Sequence, residues 1–323
     1  MTSKRLLLCI TAAIAVALAS PASAQTWPDK PIKLIVPFPP GGPIDTMARF
    51  VAQPLAARLG QSVIVENRPG SGGTIGARAV AAAEPDGYTL LFGSSGTLAV
   101  APALYANLDY DPQRSFAPVA SAAILPHLLV IRPDLPARTV AEFVAYAKAN
   151  PGKLNYGASL ATPPHLLSTL FKTRAGIEVV YIPYKGSAPS VTDLMAGTTH
   201  WTIDGLTILA PLAKDGRLRA LAVASAQRWP ELAAVPTLIE SGYPDFSLDA
   251  WAGVVAPTGT PAAVVGKLNA AINAGLAGDE VKAALAKLSA LPKIGTPAEF
   301  AAFIAAEGPK WAAVVKLAGA RVD

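Results

Sequence analysis

Gly41, Gly42, Ser94, Ser95, Thr97, Ser159, Thr162, Tyr184 and Ser187 share a chemistry and a position. Each offers a backbone amide or a neutral hydroxyl, and each falls where an apolar stretch runs into a turn. Amides and hydroxyls without an accompanying base hold a small anion or a carboxylate and do not drive acid–base chemistry. The pattern is plainest in Val36-Pro37-Phe38-Pro39-Pro40-Gly41-Gly42-Pro43-Ile44-Asp45. An apolar strand meets a Pro/Gly turn, and a helix opens at Asp45 with Met47, Ala48, Phe50, Val51 and Leu55 at helical spacing. Unbonded N–H groups and the positive end of the helix dipole then converge on one point beside Phe38. The same segment also reads as an ordinary strand–helix turn, and each Ser or Thr alone as a cap or turn residue.

Enzyme signatures are absent. His127, His165 and His200 are far apart and in no ligand spacing. Gly93-Ser94-Ser95-Gly96 is not a nucleophile elbow, because Thr97 follows it. Gly70-Ser71-Gly72-Gly73-Thr74-Ile75-Gly76 has one residue too many for a dinucleotide fingerprint, and no acid closes the next strand. The carboxylates Asp45, Asp193, Asp204 and Asp249 could pair, but nothing in their spacing requires it. His165 reads as a capping or core-edge histidine or as a ligand contact, Trp251 as core or ligand wall, and Lys185 as a solvated loop lysine or a carboxylate partner. No catalytic residue, metal ligand or cofactor is expected.

Residues 1–24 read as a secretory signal. Lys4 and Arg5 precede an apolar core, and Ala22-Ser23-Ala24 supplies the small-residue cleavage site, so the mature chain is expected to begin at Gln25 in a bacterial periplasm. The only cysteine, Cys9, lies in that leader and follows Leu8, which argues against a lipid anchor; no disulfide is expected. Loss of Lys4 and Arg5 takes the net charge from +5 to +3, without a basic run of the kind that tracks nucleic acid.

The elements that must position these groups alternate. Strands at 32–36, 63–66 and 88–92 interleave with helices at 45–59 and 74–83, which predicts a mostly parallel, doubly wound sheet with ligands beyond the strand carboxyl ends. A second α/β series runs from 128 to 224, with Thr139 and Glu142 spaced as a capping box. The apolar run 250–256 follows, then helices with Val264, Leu268, Ile272 and Leu276 four residues apart. Those helices have no strands of their own, so they are expected to return to the first unit. Two chain crossings result, near 124–128 and 249–255, and with them a cleft and a hinge. Domain 1 is expected over 25–125 and 252–323, domain 2 over 126–251.

Trp27-Pro28-Asp29-Lys30-Pro31-Ile32, the Val36–Asp45 turn, Glu66-Asn67-Arg68-Pro69-Gly70, Pro85-Asp86-Gly87-Tyr88-Thr89-Leu90 and Lys153-Leu154-Asn155-Tyr156-Gly157 together resemble the substrate-binding proteins of tripartite tricarboxylate transporters, the Bug family. The resemblance continues through Pro164-His165-Leu166, Pro183-Tyr184-Lys185-Gly186, Leu218-Arg219-Ala220-Leu221-Ala222-Val223 and Ala256-Pro257-Thr258-Gly259-Thr260-Pro261. It implies a type II-like periplasmic binding protein: two α/β lobes joined by two crossing strands that close on a small carboxylate and deliver it to a membrane permease. It also implies a monomer, first-lobe contacts from the Gly41-Gly42 turn and residues 93–97, and second-lobe contacts from residues 159–162, the 184–188 loop and Asp204. Two places depart from the family pattern. The loop Gly157-Ala158-Ser159-Leu160-Ala161-Thr162-Pro163-Pro164 lacks a glycine, and Thr202-Ile203-Asp204-Gly205 replaces a commoner Phe-Asp-Asn. Amino-acid, di- and tricarboxylate and aromatic acid ligands all stay open, as do a sensing role and an exported hydrolase or lyase acting on a carboxylated substrate.

Overall fold

The computed structural model of the chain describes residues 27–160 and 162–320; the expected leader with Cys9 and its cleavage site, and Ala161, lie outside the described residues. The opening alternates β1 (Ile32–Val36), α1 (Pro43–Leu59), β2 (Val63–Asn67), α2 (Thr74–Ala81) and β3 (Thr89–Ser94). β1 pairs in parallel with β2 and with β3. Ile32, Leu34, Leu90 and Phe92 pack with Met47, Val51 and Leu55 of α1 in one core cluster. Ile35 and Leu91 belong to another. Strands covered on both faces read as apolar runs, which is why the sequence shows them so clearly.

The chain leaves this sheet at the end of β4 (Phe116–Leu125) and, one residue on, enters a second sheet as β5 (His127–Ile131). There it forms α4 (Val140–Ala149), β6 (Asn155–Ser159), α5 (Pro163–Ala175), β7 (Val180–Tyr184), α6 (Ser187–Ala196), β8 (Trp201–Gly205), α7 (Leu206–Lys214) and β9 (Arg219–Val223). A short α3 (Ala101–Leu104) precedes β4. The return is β10 (Ala250–Pro257), followed by α8 (Ala262–Leu276), α9 (Asp279–Lys287), β11 (Leu291–Pro292) and α10 (Pro297–Ala318). The first sheet has six strands in the order β11-β4-β10-β3-β1-β2, the second five in the order β7-β6-β8-β5-β9.

The sheets correct one expectation: neither is mostly parallel. β10 runs antiparallel between β3 and β4, and β5 runs antiparallel between β8 and β9. A strand that arrives from the other lobe enters from the cleft side, so its direction is opposite to that of strands which end at the cleft. Gly253 is required in β10. A Cβ there would sit 2.7 Å from the Ala120 carbonyl and closer still to the Phe300 ring of α10. α8 packs on α1 and β4; α10 packs on β4 but also reaches α5 of the second lobe. The start of α10 is fixed by a full capping box between Thr296 and Glu299. At α4, Thr139 accepts from Glu142 N–H, while the Glu142 carboxylate turns to Arg138 N–H. Among the described residues no helix is long and apolar enough to cross a membrane.

Candidate functional site

A cavity of about 390 Å³ lies where the two lobes and the crossing strands meet. The first lobe contributes Phe38, Ile44 and Gly72, then Ser94, Ser95 and Gly96 at the end of β3, and Val100, Ala101, Leu104 and Tyr105 beyond it. Leu160, Thr162 and Pro163 face it from the loop between β6 and α5. Leu125, Ala250 and Trp251 close it at the crossings. A larger groove of about 800 Å³, bordered by Leu98, Arg114 and Ile304, draws only on the first lobe.

The polar wall is built at the end of β3. Residues Gly96–Val100 wind as one π-helical turn. Thr97 Oγ1 accepts from Ser94 N–H at 3.0 Å and donates to the Ser94 carbonyl at 3.1 Å, and the Tyr110 hydroxyl donates to the Thr97 carbonyl at 2.7 Å. Thr97 is thus a backbone clamp behind the wall. The Ser94 and Ser95 side chains stand on the wall, both buried, and among the described residues neither hydroxyl has a hydrogen-bond partner. Gly73, at φ +95°, lets the 70–74 turn approach: a Cβ there would lie 2.6 Å from Thr97 Cγ2. Gly72 does the same beside the Tyr105 hydroxyl.

The Gly41-Gly42 turn stands behind Phe38 and Ile44 and off the cavity wall. Gly41 is the left-handed residue, at φ +83°, and its N–H donates to Asp45 Oδ2 at 2.9 Å; Gly42, at φ −75°, is the extended N-cap of α1. Asp45 also accepts from Arg49 Nε and from Asn67 Nδ2. Burial pushes the Asp45 carboxyl up, but bonds from Arg49, Gly41 N–H and Asn67 outweigh it and bring the pKa down to about 2. It is a loop-fixing residue that holds Phe38 and Ile44 in place. Asp45→Ala is expected to cost on the order of 2 kcal/mol in urea unfolding at pH 7. Because the folded pKa is depressed, that contribution is present above about pH 4 and fades as pH falls through about 2; the wild type and the variant should converge in acid.

In the second lobe, Thr162 Oγ1 donates to the Ser159 carbonyl at 2.6 Å, so Thr162 lines the cavity while Ser159 supports it. The Tyr184 hydroxyl donates to Asp193 at 2.7 Å and Ser187 Oγ to Asp204 Oδ1 at 2.9 Å; none of these four lines the cavity, nor does the exposed Lys185. His165 is buried with its ring 4.6 Å from that of Tyr181, and burial, then Lys172, pulls its pKa down. Trp251 does line the cavity, but its indole N–H is committed to Glu307 Oε2 at 3.2 Å. Asp249 is held by Ser225, and among the described residues no hydrogen bond joins Asp45, Asp193, Asp204 or Asp249 to another carboxylate. Helices α1, α5, α6 and α7 begin without a side-chain cap. No group of His, Cys, Asp and Glu among the described residues could hold a metal ion.

The structure therefore brings Phe38, Ser94, Ser95, Thr162 and Trp251 together on one wall and keeps Gly41, Gly42, Asp45, Thr97, Ser159, His165, Tyr184, Lys185, Ser187 and Asp204 off it. Sequence reading passed over Ile44, Tyr105, Leu125 and Leu160. Large apolar side chains inside turn segments, as at Leu160, are the signal that points to them.

The model of the tripartite tricarboxylate transporter family receptor matches residues 47–320. Protein BugT of Bordetella pertussis is 42% identical over 325 residues, covering 100% of both chains. Among solved structures, R. palustris Rpa4515 with adipate is 40% identical with a TM-score of 0.79, covering 92% of this chain and 100% of that one. MatC from Rhodopseudomonas palustris with bound malate is 34% identical with a TM-score of 0.75, covering 90% of this chain and 100% of that one.

Proposed function

The chain belongs to the tripartite tricarboxylate transporter receptor family, and we propose that its interlobe cavity captures a small carboxylate and hands it to a permease of the tripartite type. The protein is a periplasmic solute-binding receptor and not an enzyme; the exported hydrolase or lyase weighed from the sequence has no support from the family. The relatives with adipate and malate supply the ligand class. The observation that carries the reading is the wall at the end of β3, where two buried serines, whose hydroxyls have no hydrogen-bond partner among the described residues, line the cavity next to Gly96 at the start of the π-helical turn. A carboxylate accepts such donors, and charge-assisted bonds of this kind are stronger than neutral ones. Export with cleavage after Ala24, a monomeric state, and hinge motion about the Leu125–His127 and Ala250 crossings complete the proposal. Closure is favoured because the ligand touches both lobes only in the closed form.

The test compares an acid with its own methyl ester. At a hundred times its dissociation constant, a bound acid adds about 2.7 kcal/mol to stability, enough for a clear rise in Tm. The saturated sample should also scatter with a smaller radius of gyration. Equal stabilisation by acid and ester would refute carboxylate recognition.

A further inference from the structure

Among the described residues the uncommitted side-chain donors of the cavity stand on one side only, and we propose that its ligand is a monocarboxylate with an apolar, ring-sized body, rather than a di- or tricarboxylate. The proposal deepens the receptor reading above and rests on it. The side chains on the wall with uncommitted donors are Ser94, Ser95 and Tyr105, all on the first lobe. Thr162, the polar side chain that the second lobe places on the wall, has its hydroxyl on the Ser159 carbonyl. No Lys, Arg or His lines the cavity among the described residues. Among the described residues no second-lobe side chain on the wall offers a second carboxylate an uncommitted donor, and an anion that leaves water without partners is costly to bury.

The far side is hydrocarbon. Leu160 is 59% exposed at the tip of the β6–α5 loop and faces the cavity, so a large apolar side chain stands in water where a closing lobe would cover it. It sits in the loop whose length and glycine content set this chain apart in sequence. Trp251, fully buried with its N–H held by Glu307, borders the cavity and brings it no donor. Phe38 and Leu104 complete an apolar sleeve. A volume of about 390 Å³ falls at the small end of ligand pockets, which suits a compact acid.

The experiment is calorimetric titration of the mature protein with benzoate, 3-phenylpropionate and octanoate against adipate, malate and citrate, with 3-phenylpropionamide as the uncharged control. The expected result is binding of at least one apolar monocarboxylate on the order of tenfold tighter than any di- or tricarboxylate, and no binding of the amide. Leu160→Lys, an exposed substitution that leaves the core intact, should weaken the monocarboxylate on the order of tenfold and narrow its lead over adipate. Tighter binding of adipate, malate or citrate by the wild type would overturn the inference while leaving the receptor intact. Failure of every acid to bind would overturn the carboxylate reading beneath it.

Discussion

Trp251→Ala is expected to lower the unfolding free energy by about 3–5 kcal/mol and to remove measurable ligand binding. Trp251 is 0% exposed in β10, with β3 on one side and β4 on the other, so its loss leaves a void at the centre of the first sheet. Its ring meets Phe300 edge-on at 5.9 Å and Phe303 at 5.4 Å, and surroundings fixed this firmly collapse poorly into a cavity. Its indole N–H is one of three donors on Glu307, a carboxylate only 4% exposed; Trp311 and Lys310 remain after truncation. The side chain is also the cavity wall at the crossing, which ties stability to binding through one residue. Trp251→Phe separates the two effects. It loses the donor to Glu307 and keeps most of the ring, so it should cost about 1–3 kcal/mol and retain weakened binding. Urea unfolding and calorimetric titration of both variants provide the check. An alanine variant within 1 kcal/mol of wild type, with full affinity, would remove Trp251 from the wall and from the core alike.

The fold was legible where burial on both faces makes strands continuous. β1, β5 and β10 stand out as apolar runs between turn residues, and the order of strands and helices implied the two lobes and both crossings. β4 was not read as a strand. Its ten residues, Phe116–Leu125, carry four alanines and Pro118, so neither alternation nor β-branching announces it, and only its place beside β10 makes it a strand. Antiparallel insertion of β5 and β10 was likewise hidden, because strand direction follows from the path of the chain. At the site, residue type and position at a strand end were visible, but the partner of each hydroxyl was not. Ser94 and Thr97 look alike in sequence; one faces the cavity uncommitted and the other is tied to its own backbone. Asp45 sits in the sequence where a helix opens, and its bonds to Gly41, Arg49 and Asn67, invisible there, tie the turn together.

Asp204→Asn is expected to gain on wild type by on the order of 3 kcal/mol between pH 4 and pH 8. Asp204 is the penultimate residue of β8 and is 3% exposed. Its Oδ1 accepts from Ser187 Oγ–H and Gly205 N–H, while Oδ2 is buried without a hydrogen-bond partner among the described residues. Burial pushes its pKa up from 3.8 to about 6, against the smaller pull of those two bonds. The unfolded chain ionises near 3.8, so well below that pH both states are neutral and the stability is whole. As pH rises toward 6 and beyond, the unfolded state gains a solvated charge and the folded state must create a buried one, so stability is lost. Asparagine cannot ionise. It brings a constant offset from its own buried amide, and the pH-dependent loss disappears. Asp249, raised to about 7 chiefly by burial, loses stability with the same sign, but it does so in both proteins and cancels in the difference. Urea unfolding of wild type and variant at pH 4 and pH 8, with unchanged m-values, isolates the single group. A pH-independent difference would mean that Asp204 ionises at its ordinary value, and that water reaches Oδ2 beneath the 184–188 loop that Ser187 pins to it.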